Sequence, residues 1–280
     1  MKVLKPVFVI ILALLVSGVI FLILSKRKVY YSMEKALKEP LKVRFLILSS
    51  GKKLKEFPKG IERLKNLEIL YVTHEQISRI PEYIGTFKNL EELVLHKDQL
   101  THLPPQLFNL KKLTILVLSF NQLTSLPSEI GQLNKLEYLD LSENKLKILP
   151  KEIGQLIRLE TLDVDGNQLK SLPPEIGKLV KLDELLLMVN KLTKLPPEIG
   201  RLRQLRWFDV FANQLEELPP EIGDLKNLEY LRLEKNKLKE LPIEIGKLKS
   251  LKELDLRDNP ISKKERMKIR KLLPHCRIEF

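Results

Sequence analysis

Residues 153–175 read Ile-Gly-Gln-Leu-Ile-Arg-Leu-Glu-Thr-Leu-Asp-Val-Asp-Gly-Asn-Gln-Leu-Lys-Ser-Leu-Pro-Pro-Glu. The same frame returns on both sides. Ile153-Gly154 is matched by Ile130-Gly131, Ile176-Gly177, Ile199-Gly200, Ile222-Gly223 and Ile245-Gly246, always 23 residues apart. Asn121, Asn144, Asn167, Asn190, Asn213, Asn236 and Asn259 keep that interval, as do Leu-Pro pairs such as Leu149-Pro150 and Leu172-Pro173. The unit is I-G-x-L-x-x-L-x-x-L-x-L-x-x-N-x-L-x-x-L-P-x-E. A fixed period of this length marks a stack of structural repeats and outranks any domain count from length alone.

Each recurring residue has a physical role. L-x-L is a short strand, with leucines on one face and x on the other. No single coil buries its leucines, so stacking buries them jointly. The asparagine stands where the chain leaves the strand, and its amide can serve backbone groups that lose ladder partners. Leu-Pro is extended, because the residue before proline avoids the helical region. The glycine of Ile-Gly permits a close or a left-handed backbone.

These residues resemble the leucine-rich repeat family. The L-P-x-E-I-G form is similar to bacterial, leptospiral-type repeats and to the Ras-group repeats of plants and animals. The resemblance covers about 41–280. It implies an α/β solenoid: a leucine-rich repeat horseshoe with a parallel concave sheet, short extended or 3-10 convex segments, and a helix-strand cap. It implies protein recognition only loosely, since fold does not fix function.

About ten coils are expected over 41–259, giving a stack roughly 45 Å long at the usual strand spacing. The first three depart from the pattern at the asparagine corner, with Gly51, Glu75 and Asp98 in its place. Residues 260–280 read as a cap. Ser262 and Glu265 have capping-box spacing, a helix runs to about Leu273, and Cys276, Ile278 and Phe280 alternate like a last strand. Cys276 is expected to be a buried cap residue.

Val7 to Leu24 is an apolar stretch of 18 residues, about 27 Å as a helix and close to the membrane minimum. Residues 1–25 therefore read as an anchor or a signal, and 26–40 as a basic connector and N-cap. Cleavage sites are poorly placed, because Lys26-Arg27-Lys28 follows Ser25 at once. Positive charges flank both ends of the run. The flanks lean toward a cytoplasmic repeat domain, whereas the resemblance leans toward export; the expectation adopted is an anchored or exported bacterial envelope protein with extracytoplasmic repeats.

Composition sets the exclusions. The chain has 280 residues and 60 leucines; 11 Gly and 17 Pro exclude collagen and low-complexity disorder. One cysteine excludes an intramolecular disulfide framework and a multi-cysteine zinc site. No G-x-S-x-G, Walker loop, H-E-x-x-H or G-x-G-x-x-G occurs. No catalytic residue, metal, cofactor or small-molecule substrate is implied. His74 and His96, with Glu75 and Asp98 near, read as surface residues rather than zinc ligands. The formal charge of +13 suggests nucleic acid at first. However, residues 1–40 and 260–280 each carry a net +5, and the strand-face positions are acidic and aromatic. Nucleic acid is therefore excluded as a partner.

The candidate partner-binding surface is the set of x positions on the concave sheet. An apolar zone comes first (Phe45, Ile47, Ile69, Tyr71, Val94, Ile115, Val117, with Phe120 beside them). An alternative has Tyr30, Tyr31 and Met33 of the connector covering it. An acidic centre of Asp140, Asp163 and Asp165 follows, with the pair Asp163 and Asp165 read as solvated or paired with a basic partner. Leu186, Met188, Trp207, Phe211 and Tyr230 then form an apolar patch fringed by Asp209 and Arg232, with Trp207 and Phe211 as anchors. Such aromatics can also serve only to pack across strands. The function expected is non-enzymatic binding of another protein, with host proteins among the partners the resemblance implies. Alternatives are a membrane-tethered intracellular scaffold of the Ras-group type and an envelope spacer.

Overall fold

Twenty-three residues per coil bring every leucine of the motif back to the same place one strand later. The computed structural model describes residues 28–49 and 54–280. The apolar run 7–24 and the Gly51 corner lie outside the described residues. Among the described residues no helix is long and apolar enough to cross a membrane.

The strands are β1 (Val29–Tyr30), β2 (Phe45–Leu48), β3 (Ile69–Thr73), β4 (Glu92–His96), β5 (Ile115–Val117) and β6 (Tyr138–Asp140), then β7 (Thr161–Asp163), β8 (Glu184–Leu186), β9 (Trp207–Asp209), β10 (Tyr230–Arg232), β11 (Glu253–Asp255) and β12 (Arg277–Glu279). All twelve join one parallel sheet in sequence order. Register follows the repeat, with Leu162 beside Leu185 and Leu185 beside Phe208. The fold is a leucine-rich repeat solenoid. Its opposite side is built from 3-10 turns such as Lys151–Gln155 and Pro174–Lys178. An extended proline precedes each of these, Pro173 at φ −70° and ψ 145°. One continuous leucine core fills the space between sheet and turns.

The asparagines hold the corners. Asn167 donates from Nδ2 to the carbonyls of Leu141, Val164 and Asp165 at 3.0, 3.1 and 3.1 Å. Its Oδ1 accepts from the Leu146 N–H at 2.9 Å. Asn121, Asn144, Asn190, Asn213, Asn236 and Asn259 repeat this set on their own coils. The Ile-Gly glycines need closeness rather than a left-handed backbone. A Cβ on Gly154 would stand 2.4 Å from the Glu175 carbonyl oxygen. The left-handed residue sits elsewhere, one before each asparagine position, as at Val189 (φ 51°) and Gly166 (φ 61°).

Two short elements close the ends. Ser32 caps α1 (Met33–Ala36), whose Ala36 is buried. Tyr30, Met33 and Leu37 pack into the main core, and Tyr31 is exposed. The connector therefore extends the stack and does not lie over the apolar concave zone. At the other end Ser262 caps α2 (Lys263–Leu272). The Glu265 carboxylate turns to the Leu241 N–H at 3.3 Å, so α2 is tied to the preceding coil. Ile269 and Leu273 bury against that coil, and Cys276 packs half-buried beside them. Burial pushes the Cys276 thiol up to about 11, which keeps it protonated and unreactive.

Candidate protein-binding face

Each strand presents three positions to the concave side, and parallel register turns these into three rows. Row neighbours are about 4.8 Å apart, so side chains along a row touch. That spacing decides how much of each side chain solvent or a partner reaches.

The middle row is the most hidden. Asp140, Asp163, Leu186 and Asp209 are 0%, 2%, 4% and 2% exposed. The expectation that Asp163 is solvated is thus corrected: flanking rows and neighbours cover it, as they cover Asp140. Asp165, Met188, Trp207, Phe211, Tyr230 and Arg232 are half-buried and keep accessible surface. Toward the N-terminus Tyr71, Val94, Val117 and Tyr138 pack into a separate apolar cluster, with Ile47, Ile69 and Ile115 against it.

The carboxylates serve the backbone first. Asp140 Oδ1 accepts from the Ser142 N–H and hydroxyl at 2.9 and 2.6 Å. Asp163 Oδ1 takes the Asp165 N–H, Asp209 Oδ1 the Phe211 N–H, and Asp255 Oδ1 the Arg257 N–H. An aspartate in this slot thus ends its strand with a turn bond. Their surroundings then diverge. Asp209 binds the Arg232 guanidinium at 2.8 Å, and Asp255 binds Arg257 at 2.5 Å. Burial raises the Asp209 carboxyl, restrained by Arg232; for Asp255 burial also pushes upward, but bonds from Arg257 outweigh it and the net direction is down. Asp140 is raised by burial, tempered by the Ser119 and Ser142 hydroxyls. Burial and then the charges of Asp165 and Asp140 raise Asp163 well above the usual range. Burial and the charge of Asp209 push Asp165 up to about 8.

The patch toward the C-terminus is knit together. Trp207 and Tyr230 stack with centroids 4.7 Å apart and planes 32° from parallel. The Arg232 guanidinium lies 5.7 Å from the Phe211 ring and 3.9 Å from Met188 Sδ. Among the described residues the buried Trp207 indole N–H finds no hydrogen-bond partner. Lys235, not singled out by the repeat, has its ammonium 5.1 Å from the Phe211 ring centroid. Its signal was faint: it lies one residue outside the strand rows.

The histidine corner is also structural. His96 is buried and its Nδ1 lies 2.8 Å from the Ser119 hydroxyl. Burial, with His74 and Lys97 nearby, pushes His96 down to about 4. Glu75 accepts from the Leu54 N–H and Asp98 from the Ile77 N–H. Among the described residues, no group of three or more His, Cys, Asp or Glu is placed to hold a metal ion.

Sequence profiles described as leucine-rich repeat region match residues 127–196 and 176–273, and a second leucine-rich repeat profile matches 88–150. The chain belongs to the leucine-rich repeat family. No curated protein sequence matches it significantly. Among solved structures it is 35% identical to the leucine-rich repeat ectodomain of the plant membrane receptor kinase GASSHO1/SCHENGEN3 from Arabidopsis thaliana, in complex with CASPARIAN STRIP INTEGRITY FACTOR 2. That match has a TM-score of 0.67 and covers 73% of this chain and 26% of that one. The chain thus spans about a quarter of that ectodomain. It is 25% identical to a chain of an octameric complex of Latrophilin 3, Unc5D and FLRT2, whose repeat component is FLRT2, with a TM-score of 0.73 and coverage of 85% and 76%. A leucine-rich repeat protein of Leptospira interrogans is 30% identical over 91% of this chain and 100% of that one, with a TM-score of 0.34.

Proposed function

We propose that the protein is a non-enzymatic binding module of the bacterial cell envelope and that its concave sheet face holds another protein. The observation that carries this reading is the accessible cluster of Met188, Trp207, Phe211, Tyr230 and Arg232. Aromatic and Arg side chains held by neighbours, next to buried charge, have the composition of an interface hot spot. The plant ectodomain and the FLRT2 assembly, both solved in complex with other proteins, support the general mode. The envelope setting rests on the apolar run 7–24 and would present the repeats outside the cytoplasm, to a host protein or an envelope partner.

The test compares capture of envelope or host-surface proteins by the wild-type chain and by Trp207→Ala/Phe211→Ala. A partner bound by the first and lost by the second supports the reading. Identical capture by both would remove the concave patch from consideration. Lys26-Arg27-Lys28 after the apolar run favours a second reading, in which the repeats face the cytoplasm as a tethered scaffold. Protease added to intact cells separates the two: digestion of the repeats supports exposure, and full protection supports the scaffold.

A further inference from the structure

The inward mid-strand slot holds an aspartate in β6, β7, β9 and β11. In β9 and β11 the chain supplies a guanidinium, Arg232 or Arg257. In β6 and β7 none comes from the described residues. The inward positions of β6, β7 and β8 with the residues just after them hold Asp140, Asp163, Asp165 and Glu184 and no Lys or Arg. Asp140 is fully buried, and among the described residues its Oδ2 has no hydrogen-bond partner. It stands in register beside Asp163 on the same sheet face. Asp165 is the member with an open edge; its Oδ1 accepts from the Met188 N–H at 2.6 Å.

A buried carboxylate oxygen without a partner is costly, and clustering acids raises that cost. Crowded acids of this kind repel one another and hold on to protons, and an arriving cation draws them into the charged form. What the slot lacks is a cation, and the neighbouring slots show the kind that fits. Beyond Asp165 the row continues with Met188 and Phe211, which Arg232 and Lys235 edge, and the Trp207–Tyr230 stack lies alongside.

We propose that the concave face takes an extended protein segment carrying an Arg or Lys, whose cation sits on Asp165 above Asp163 while an adjacent apolar residue rests on Met188 and Phe211. This rests on the concave-face reading and adds the chemistry of the partner. The acids complement a basic segment and repel nucleic acid or an acidic one.

The experiment selects a displayed library of random short peptides on the full chain in phosphatidylcholine nanodiscs, after depletion on empty nanodiscs. The best peptide is then titrated against wild type, Asp165→Asn and Trp207→Ala/Phe211→Ala. Asn keeps an acceptor for the Met188 N–H, so this variant is expected to fold. Enriched peptides should carry Arg or Lys next to an aromatic or aliphatic residue. Asp165→Asn should weaken the best one roughly tenfold, and replacing its basic residue by Gln should weaken it about equally, without adding to the first loss. Peptides lacking a basic residue, an unchanged affinity for Asp165→Asn, or recovery of no binder each overturn the proposal. If such non-basic peptides still lose binding with Trp207→Ala/Phe211→Ala, the concave-face reading survives without its cation. If neither variant matters, both readings fall.

Discussion

Asp98 occupies the corner that seven later coils give to asparagine. Asn121 there donates to three carbonyls and accepts from the Leu100 N–H at 3.0 Å. Asp98 Oδ1 accepts from Ile77 N–H at 3.2 Å, but Oδ2 is buried with no partner among the described residues. An ionised carboxylate has no hydrogen to give the carbonyls, so the site favours the acid form. Burial pushes this carboxyl up to about 6. The folded value lies above the unfolded one near 3.9, so Asp98's contribution to stability is complete below about pH 4 and lost as pH rises through 6. Asp98→Asn is expected to add about 1–3 kcal/mol at pH 8 and little at pH 4. Urea titrations at both pH values check this, and an equal gain at the two would exclude the acid form as the cause.

At the scale of the coil, two turns make opposite demands on side-chain size. The corner after each strand is left-handed from His74 to Asp258, yet only Gly166 there is glycine. Val189, exposed and β-branched at φ 51°, holds the least suited side chain. Relief of a left-handed strain of about 1–2 kcal/mol exceeds the entropy cost of glycine, about 0.5–1 kcal/mol. Val189→Gly should therefore stabilise by up to about 1 kcal/mol, read as a shift in the urea midpoint at constant slope; a lower midpoint would show the corner unstrained. The convex 3-10 turn asks for glycine through crowding. Gly154→Ala drives a Cβ into the Glu175 carbonyl and should cost about 1–3 kcal/mol. Gly246, with its nearest neighbours at 3.4 Å on Leu272 of α2, should accept alanine far more cheaply. Equal costs at the two sites would mean that coil-on-coil contact does not select this glycine.

Over the whole molecule, each coil meets its two neighbours, so stability is local and passes from coil to coil. The end coils depend on their caps. Ile269 of α2 is fully buried, and the Phe280 ring lies 5.2 and 5.4 Å from the Arg266 and Arg270 guanidiniums. Ile269→Ala should cost about 2–4 kcal/mol. Hydrogen exchange should then rise first in β10 to β12 while β5 to β8 stay protected. A uniform rise along the stack would instead indicate a single cooperative unit.

Much of this was legible in the repeat. The leucine, asparagine and proline positions recur because every coil solves the same packing problem, so one period encodes strand, corner and turn together. Three features escaped it. Gly154 was readable as special but not the reason, because its crowding comes from Glu175 in the next coil. The left-handed corner was hidden because eight of its nine residues carry side chains. The concave aspartates looked solvated along the chain, since a strand pattern gives the face of a side chain and not what leans over it. The sequence alone determined the stacking, the register and the rows. Only the tertiary structure decided that Asp140 and Asp163 are buried, that Asp209 is neutralised by Arg232, and that Asp165, Met188, Trp207 and Phe211 remain within reach of a partner. The physical reason is that burial and ion pairing on this face arise between residues 23 positions apart, across strands.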